Sequence, residues 1–402
     1  MDINFHYYLI KSLALTAGFD NEQSEKVATF SQMVDDFEFQ KTNMNVLKRP
    51  PQFFFDHGFA WKNKIRRGYK FDPVITGIAE VASVSRKVQL KTILPFHFIP
   101  LSKVSSGYSD ENIARCERGD TNGALVTKLV DEVLYEVQQA KAKKDEGLLK
   151  KLPIKFGMLL HVYADSFAHE HFSGMKSWMN VARMTDCYNK FRKSNKNLGP
   201  DPNIREKEIL AIGHMKIRHI PDAFALQFNY KAKKSSGSGD LDTTRSRYNM
   251  DTFMICAGRI YEFMCRYLRN EYTNRDQETF MSIKNLLISA AGLAVEGENE
   301  KEEVDLKKLT SNWKKYFPNY IYDYRKMRYF GLNVAAVEDA DYVSLAEHGY
   351  STEDLYEVED ERGYKAREYA TVRFQEPSEE FYYYNQIAYE HRFHVIGRYD
   401  VD

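Results

Sequence analysis

Residues 151–171 read KLPIKFGMLLHVYADSFAHEH and join a long apolar run to three histidines and an aspartate. Pro153 suits the first turn of a helix. In a helix, His161, Asp165 and His169 follow one another at intervals of four residues, so their side chains fall along one stripe. The stretch predicts a buried helix with a polar stripe. It leaves open whether the stripe binds a metal or forms ordinary hydrogen bonds.

Helical periodicity dominates the rest of the chain as well. Residues 40–120 are the exception, because they are rich in proline, glycine and aromatic residues and are predicted to be mostly irregular. Residues 194–207 and 232–246 are predicted loops. The pattern predicts a mainly α protein, a multi-helix bundle with irregular insertions. Its other predicted helices cover 3–17, Asn21 to SQMVDD, 123–144, 250–271, 276–295 and 378–396.

The cysteines and the N-terminal sequence exclude several classes of protein. Four cysteines without CxxC spacing argue against a disulfide scaffold or a cysteine zinc site. The opening MDINFHYYLIKSLALTAGFD lacks the charge pattern and cleavage site of a signal peptide. No stretch approaches the roughly 20 apolar residues of a membrane span. We therefore expect a cytoplasmic protein without a transmembrane segment, with export by a non-classical route left open.

The stripe has the residue types of a metal site. Zinc takes several nitrogen and oxygen ligands, and two donors one helical turn apart supply part of such a set. A single histidine is more often a core residue with an ordinary hydrogen bond, but an HxxxDxxxH stripe between apolar residues predicts metal binding. One helix rarely completes a site. Further donors could come from Asp2, His6, Asp35, Asp36, His97, His171, His214, His219 and Asp222.

The order of these residues resembles that of the zinc-dependent phospholipase C and fungal single-strand nuclease superfamily. The resemblance rests on MDINFHYY, SQMVDD, HFIP, HVYADSFAHEHFSG and GHMKIRHIPD, and it covers residues 1–300. Over the same range the chain also looks like an uncharacterised family of bacterial proteins that open MDIxFHYY. The resemblance implies a helical fold of phospholipase C/nuclease type that holds two or three zinc ions, or another divalent metal.

The resemblance also implies roles for individual residues. In the superfamily the N-terminal amine is a ligand, and we expect Asp2 to replace it. Asp165 would bridge two metals, and Asp35 or Asp36 would orient the attacking water or act as general base. Helical spacing favours His169 as a ligand and the superfamily spacing favours His171, while His219 competes with His214. The implied metal ligands are Asp2, His6, Asp35, His97, His161, Asp165, His169, His171, His214 and Asp222.

These observations predict two domains. Residues 1–300 would form the helical metal-binding domain, with an aromatic-rich irregular insertion at about 40–120. Residues 301–402 would form a charged, mixed C-terminal extension that ends in a helix. Its segment 338–361 contains ten acidic residues and no Lys or Arg, and the extension could bind a protein partner. Overall charge favours no particular partner, because Lys+Arg and Asp+Glu both number 57.

The expected activity is hydrolysis of a phosphodiester or phosphomonoester bond in a phospholipid, nucleotide or nucleic acid. In a nuclease the aromatic-rich segment 53–69 would stack bases, but it could equally be a hydrophobic loop packed on the core. One alternative is a catalytically silent helical interaction module of the same fold, with or without structural metal. Another is a histidine–aspartate hydrolase of a different all-helical kind.

Overall fold

The structure, a computed structural model, describes most of the chain. For residues 356–359 and 365–368 it describes the backbone alone. The expected loop at 194–207 and most of the acidic segment 338–361 lie outside the described residues. The described residues are 1–38, 44–63, 68–77, 85–104, 115–191, 212–236, 240–241, 243–292, 306–332 and 376–397.

The protein is mainly α-helical, as predicted. The predicted helices near 123–144, 250–271, 276–295 and 378–396 are each present with similar bounds. Two π-helical turns, Asn4–Leu9 and Gln89–Ile93, lead directly into α-helices. The α-helices are α1 (Ile10–Ala17), α2 (Asn21–Asp36), α3 (Gln52–Asp56), α4 (Arg86–Val88), α5 (Leu94–His97), α6 (Leu125–Lys143), α7 (Glu146–Ala168), α8 (Asn249–Arg269), α9 (Asn274–Gly292), α10 (Leu306–Tyr316) and α11 (Glu379–Ile396).

The chain forms two compact units that do not follow the expected boundary near residue 300. Residues 306–324 belong with the first helices because their polar side chains bond to them. Trp313 Nε1 donates to Asn4 Oδ1 at 2.8 Å, and the Tyr322 hydroxyl lies 2.6 Å from that of Ser12. The first unit contains Met1–Val34, Ser83–Tyr324 and Arg392–Asp402, and the second contains Asp35–Ala82 and Arg325–His391.

Helix α7 contains the stripe and lies in the core of the first unit. The Asp145 side chain caps it by accepting a hydrogen bond from the Leu148 amide at 3.0 Å. The helix therefore begins at Glu146, and Pro153 lies in its interior rather than in its first turn. Gly157 permits a close approach of α2, since a Cβ there would lie 2.5 Å from the Val27 carbonyl oxygen.

A three-stranded antiparallel sheet was not predicted in the first unit. It consists of β4 (Ala182–Asn189), β5 (Leu226–Ala232) and β6 (Thr243–Tyr248) in that order. Strand β6 lies in the segment 232–246 that was predicted to be a loop. Its sequence TTRSRY has no apolar alternation and pairs with β5 through backbone hydrogen bonds, which a polar sequence permits once a neighbouring strand is present.

The second unit contains a second small sheet in the segment predicted to be mostly irregular. Its strands are β1 (Met44–Val46), β2 (Ala60–Lys62) and β3 (Tyr69–Phe71), with β3 in the centre. Phe54 is buried edge-on against Phe71 at 4.9 Å between ring centroids, so this aromatic residue packs in a core. Phe53, Phe55 and Phe59 are half-buried. A further antiparallel pair consists of β7 (Tyr356–Glu359) and β8 (Lys365–Glu368).

Candidate metal centre

Helix α7 places the first two candidate ligands in the core of the first unit. The side chains of His161 and Asp165 are 0% and 1% exposed. They lie one helical turn apart, with His161 Nε2 3.1 Å from Asp165 Oδ2. A buried carboxylate needs hydrogen-bonding or charged partners. The other candidate ligands are therefore described by their distance from Asp165.

Two histidines reach Asp165 from outside α7, one within a π-helical turn and the other after one. His6 lies in the π-helical turn Asn4–Leu9, with its Nε2 3.0 Å from Asp165 Oδ1. His97 ends the short helix α5, which the π-helical turn Gln89–Ile93 precedes, and its Nδ1 lies 3.1 Å from Asp165 Oδ2. Such distortions are frequent at functional sites because they rotate a side chain away from the regular helical direction.

The histidine rings around Asp165 pack tightly on one another. His6 stacks on His161 at 3.8 Å between ring centroids, and His161 Nε2 lies 3.4 Å from His97 Nδ1. The ligand atoms of His97, His161 and Asp165 all lie within 4.8 Å of one another. We call His6, His97, His161 and Asp165 the inner group.

A second group, the outer group, consists of His169, His214 and Asp222. His169 Nε2 lies 3.0 Å from Asp222 Oδ1, and His214 Nε2 lies 3.2 Å from Asp222 Oδ2. Their ligand atoms also lie within 4.8 Å of one another. The other ring nitrogen of His214 is 2.6 Å from the Arg218 carbonyl oxygen. If that nitrogen donates the hydrogen bond, Nε2 is left as the free donor atom toward a metal.

The amino group of Met1 lies at the junction of the two groups. It contacts Asp165 Oδ1 and lies 3.2 Å from Asp222 Oδ1. Asp2 lies beside the amine, where burial and the Asp222 charge raise the pKa of the Asp2 carboxyl to about 6, against the lowering effect of the N-terminal charge. Its role as a ligand in place of the amine stays a prediction.

Two further candidates, His171 and His219, lie outside these two groups. His171 accepts a hydrogen bond from Arg115 Nη2 at 2.7 Å, which places it among arginines. His219 is 85% exposed, with its Nδ1 3.8 Å from Asp222 Oδ2. Asp35 and Asp36 end α2 where the second unit begins, and both are half-buried. Their predicted role stays a prediction.

Burial keeps His6, His161 and His214 neutral. Burial, assisted by the N-terminal charge, lowers the pKa of His6 to about 4 even though Asp165 opposes the shift. Burial also lowers the pKa of His214 to about 4 and that of His161 well below its usual value. Neutral imidazole is the form that binds a metal. These rings therefore have lone pairs ready at neutral pH.

The two carboxylates stay ionised although they are buried. Burial alone would raise the pKa of Asp165, but the N-terminal charge and the histidines hold it well below its usual range. Burial likewise opposes the ionisation of Asp222, whereas His214, the N-terminal charge and a hydrogen bond from His169 lower its pKa. Each group thus combines neutral imidazole nitrogens with an anionic carboxylate, the donor set that zinc prefers.

The buried polar atoms also fit a bound metal. His6 Nδ1 is buried and has no hydrogen-bond partner in the described part of the chain, so its ring is held by Nε2 and by stacking. Three imidazole nitrogens crowd the two oxygens of Asp165. Those nitrogens could share one or two metal ions with the carboxylate, which would relieve the competition for hydrogen bonds.

The predictions from the sequence did not include the arginines that lie next to the outer group. Arg247 Nη1 donates to the carbonyl oxygen of Ala168, the last residue of α7, at 2.7 Å. Arg245, Arg115 and Arg247 all lie near His171. Burial, together with the charges of these arginines, lowers the pKa of His171 to about 3. The signal was the alternation R-x-R in TTRSRY, which predicts two side chains on one face of a strand.

The chain belongs to a family of unknown function (DUF6765), whose model matches residues 1–399. The match covers both units, including the residues of the inner and outer groups. Comparison with curated proteins and with solved structures finds no match. Among the described helices, none has the length and apolar character needed to cross a membrane.

Proposed function

We propose that this protein is a metal-dependent phosphoric-ester hydrolase of the phospholipase C/nuclease type, with two or three zinc ions or another divalent metal. Its substrate would be a phosphodiester or phosphomonoester of a phospholipid, nucleotide or nucleic acid. One observation carries the proposal: two buried histidine–aspartate groups lie side by side and are joined by the Met1 amino group.

Different residues would hold different metal ions. Asp165 would bridge, since its Oδ1 faces His6 and the Met1 amine while its Oδ2 faces His97 and His161. His169, His214 and Asp222 would hold a separate ion. Bound metals would supply a hydroxide nucleophile near neutral pH and stabilise the charge on the phosphoryl oxygens.

The protein residues would set the conditions for this chemistry. Burial keeps His6, His161 and His214 neutral, so these rings hold no proton near pH 7 that would compete with a metal. The negative charges of the Asp165 and Asp222 carboxylates would partly neutralise the positive charge of the bound metal ions. Asp35 or Asp36 is proposed, from the sequence alone, to orient the attacking water.

Elemental analysis with an activity assay tests the proposal. Protein purified without chelator should contain two or three equivalents of metal and hydrolyse bis-p-nitrophenyl phosphate or p-nitrophenyl phosphate. Chelation should abolish the activity, and added zinc should restore it. The Asp222→Asn variant should lose activity, whereas Asp251→Asn, at an exposed position in the first turn of α8, should retain it.

The other outcomes separate the alternatives. Metal without hydrolysis of any ester would favour the silent interaction module with structural metal. Protein that contains no stoichiometric metal, and takes up none when zinc is added, would contradict the proposal.

A further inference from the structure

Strand β6 places two arginines on the inner face of the small sheet in the first unit. Arg245 lies opposite Tyr230 and Arg247 opposite Phe228 in the antiparallel register with β5. Side chains two residues apart on a strand share a face. Because Phe228 and Tyr230 are buried, this face points to the protein interior, and both arginines are half-buried there.

These arginines have more hydrogen-bond donors than the described residues satisfy. Arg247 uses Nη1 on the Ala168 carbonyl oxygen, but its buried Nε and Nη2 have no hydrogen-bond partner among the described residues. The same is true of Arg245 Nε. Nor does any described carboxylate lie within 4.0 Å of either guanidinium. Buried donors of a charged group normally have hydrogen-bond partners, because a buried donor without a partner costs free energy.

A third arginine belongs to the same region. Arg115 donates to His171 Nδ1 at 2.7 Å and pairs as an isolated β-bridge with Ser173. Its side chain is 37% exposed, so the region reaches solvent. We call Arg115, Arg245 and Arg247 the arginine cluster.

Nearby acidic residues offset only part of this charge. Glu117 lies 3.5 Å from Arg115 Nε. Glu170 lies 3.7 Å from His171 Nε2. Arg118 is engaged by Asp120, to which its Nε donates at 2.9 Å. The uncompensated positive charge is therefore concentrated at Arg245 and Arg247.

Stabilisation of a helix end does not account for the arginine cluster. A cation at the C-terminus of α7 is favourable because the carbonyl groups there carry partial negative charge. That interaction uses a single N–H of Arg247, however, and none of Arg245. The remaining donors lie beside the end of α7, where His169 of the outer group follows Ala168 directly.

We propose that the arginine cluster binds a phosphate-type oxyanion next to the outer group. Guanidinium groups bind phosphate oxygens through paired hydrogen bonds, which would satisfy the idle donors of Arg245 and Arg247. The anion is either free inorganic phosphate or an ester phosphate carried by a substrate. Its identification as phosphate, though not the existence of an anion site, rests on the function proposed above.

Calorimetric titration of the full-length, chelated protein tests this site without reference to catalysis. Inorganic phosphate and glycerol 3-phosphate serve as the two titrants. The variant Arg245→Ala removes one positive charge from the cluster, and Lys231→Ala removes one from an exposed position on the opposite face of β5. Thermal unfolding checks that each variant is folded, and Arg247→Lys supplies a second test that retains the charge.

Arg245→Ala should weaken binding about tenfold or more, the effect of losing charged hydrogen bonds. Arg247→Lys should also weaken it, while Lys231→Ala should leave it unchanged. Tighter binding of inorganic phosphate would identify the free anion, and tighter binding of glycerol 3-phosphate an ester phosphate.

The proposal is overturned if the unaltered protein binds neither titrant at millimolar concentration. Equal effects of Arg245→Ala and Lys231→Ala would also overturn it. Because metal-free protein is used, these results do not depend on whether the protein hydrolyses phosphoric esters.

Discussion

The inner and outer groups use the same residue types but differ in burial. In the inner group, the side chains of His6 and His161 are 0% exposed and that of Asp165 is 1% exposed. In the outer group the exposure is 6% for His169, 11% for His214 and 12% for Asp222. The most exposed side chain of the inner group is His97, at 5%, so the outer group is buried slightly less completely than the inner group.

This difference in burial predicts that the two groups contribute differently to stability and to chemistry. Side chains that are completely enclosed must be satisfied by one another or by a bound metal, since water cannot reach them. Losing one of them should therefore affect folding first. The side chains of the outer group are slightly more exposed, so we expect their loss to affect chemistry before folding.

The largest effect is expected for Asp165→Asn, which retains the shape and removes the charge. The variant should lose metal from the inner group and about 3–5 kcal/mol of stability, since it leaves buried partners uncompensated. Elemental analysis and denaturant unfolding measure both effects. Asp131→Asn is the matched control, because it breaks only the exposed ion pair with Arg266. Equal stability of the two variants would refute a central role for Asp165.

A smaller loss of stability is expected for Asp222→Asn. The outer group is partly solvated, so the variant should lose about 1–3 kcal/mol and retain the metal of the inner group. Its metal content should fall by about one equivalent, as the ligand set predicts. Complete loss of metal would show that the two groups do not bind independently.

The pair His169→Ala and His171→Ala distinguishes two histidines that the sequence could not separate. His169 lies 3.0 Å from Asp222, so its removal should lower metal content by about one equivalent. His171 bonds to Arg115, so its removal should leave metal content unchanged. Elemental analysis measures both. If His171→Ala lowered the metal content and His169→Ala did not, His171 would be the ligand, as the superfamily resemblance implies.

The smallest effect is expected from pH. The unfolded chain binds protons at the ordinary histidine pKa of 6.5, whereas folded His6 and His214 bind them only near a pKa of about 4. Between these values the unfolded state holds more protons, so stability falls as pH falls. The melting temperature of chelated protein should drop from pH 6.5 to pH 4, but by less than the histidines alone would give, because the raised pKa values of Asp2 (about 6) and Glu38 (about 7) act in the opposite direction. A rising melting temperature would contradict burial of neutral rings.

Much of the helical framework could be predicted from the sequence, because its signals are local. The apolar spacing in α6, α8 and α9 marks one buried face, and a single buried face is sufficient to define a helix. The small sheets could not be predicted. Strand β6 has a polar sequence and is a strand because β5 lies beside it.

The candidate site divides in the same way. The stripe of His161, Asp165 and His169 follows from helical spacing alone. The positions of His6 and His97 depend on π-helical turns that no residue pattern signalled. The Met1 amine was missed because a backbone group carries no motif. The arginine cluster was missed because its R-x-R alternation begins in a segment that was predicted to be a loop.

The sequence by itself determined a mainly helical protein with histidines and aspartates concentrated at the end of one buried helix. Only the tertiary structure decided that they form two groups, that His169 rather than His171 faces Asp222, and that arginines lie beside them. The physical reason is range. Helix formation and side-chain stripes depend on neighbours within a few residues, whereas His6 and Asp165 meet across 159 positions of the chain. Contacts of that kind are set by packing of the whole core.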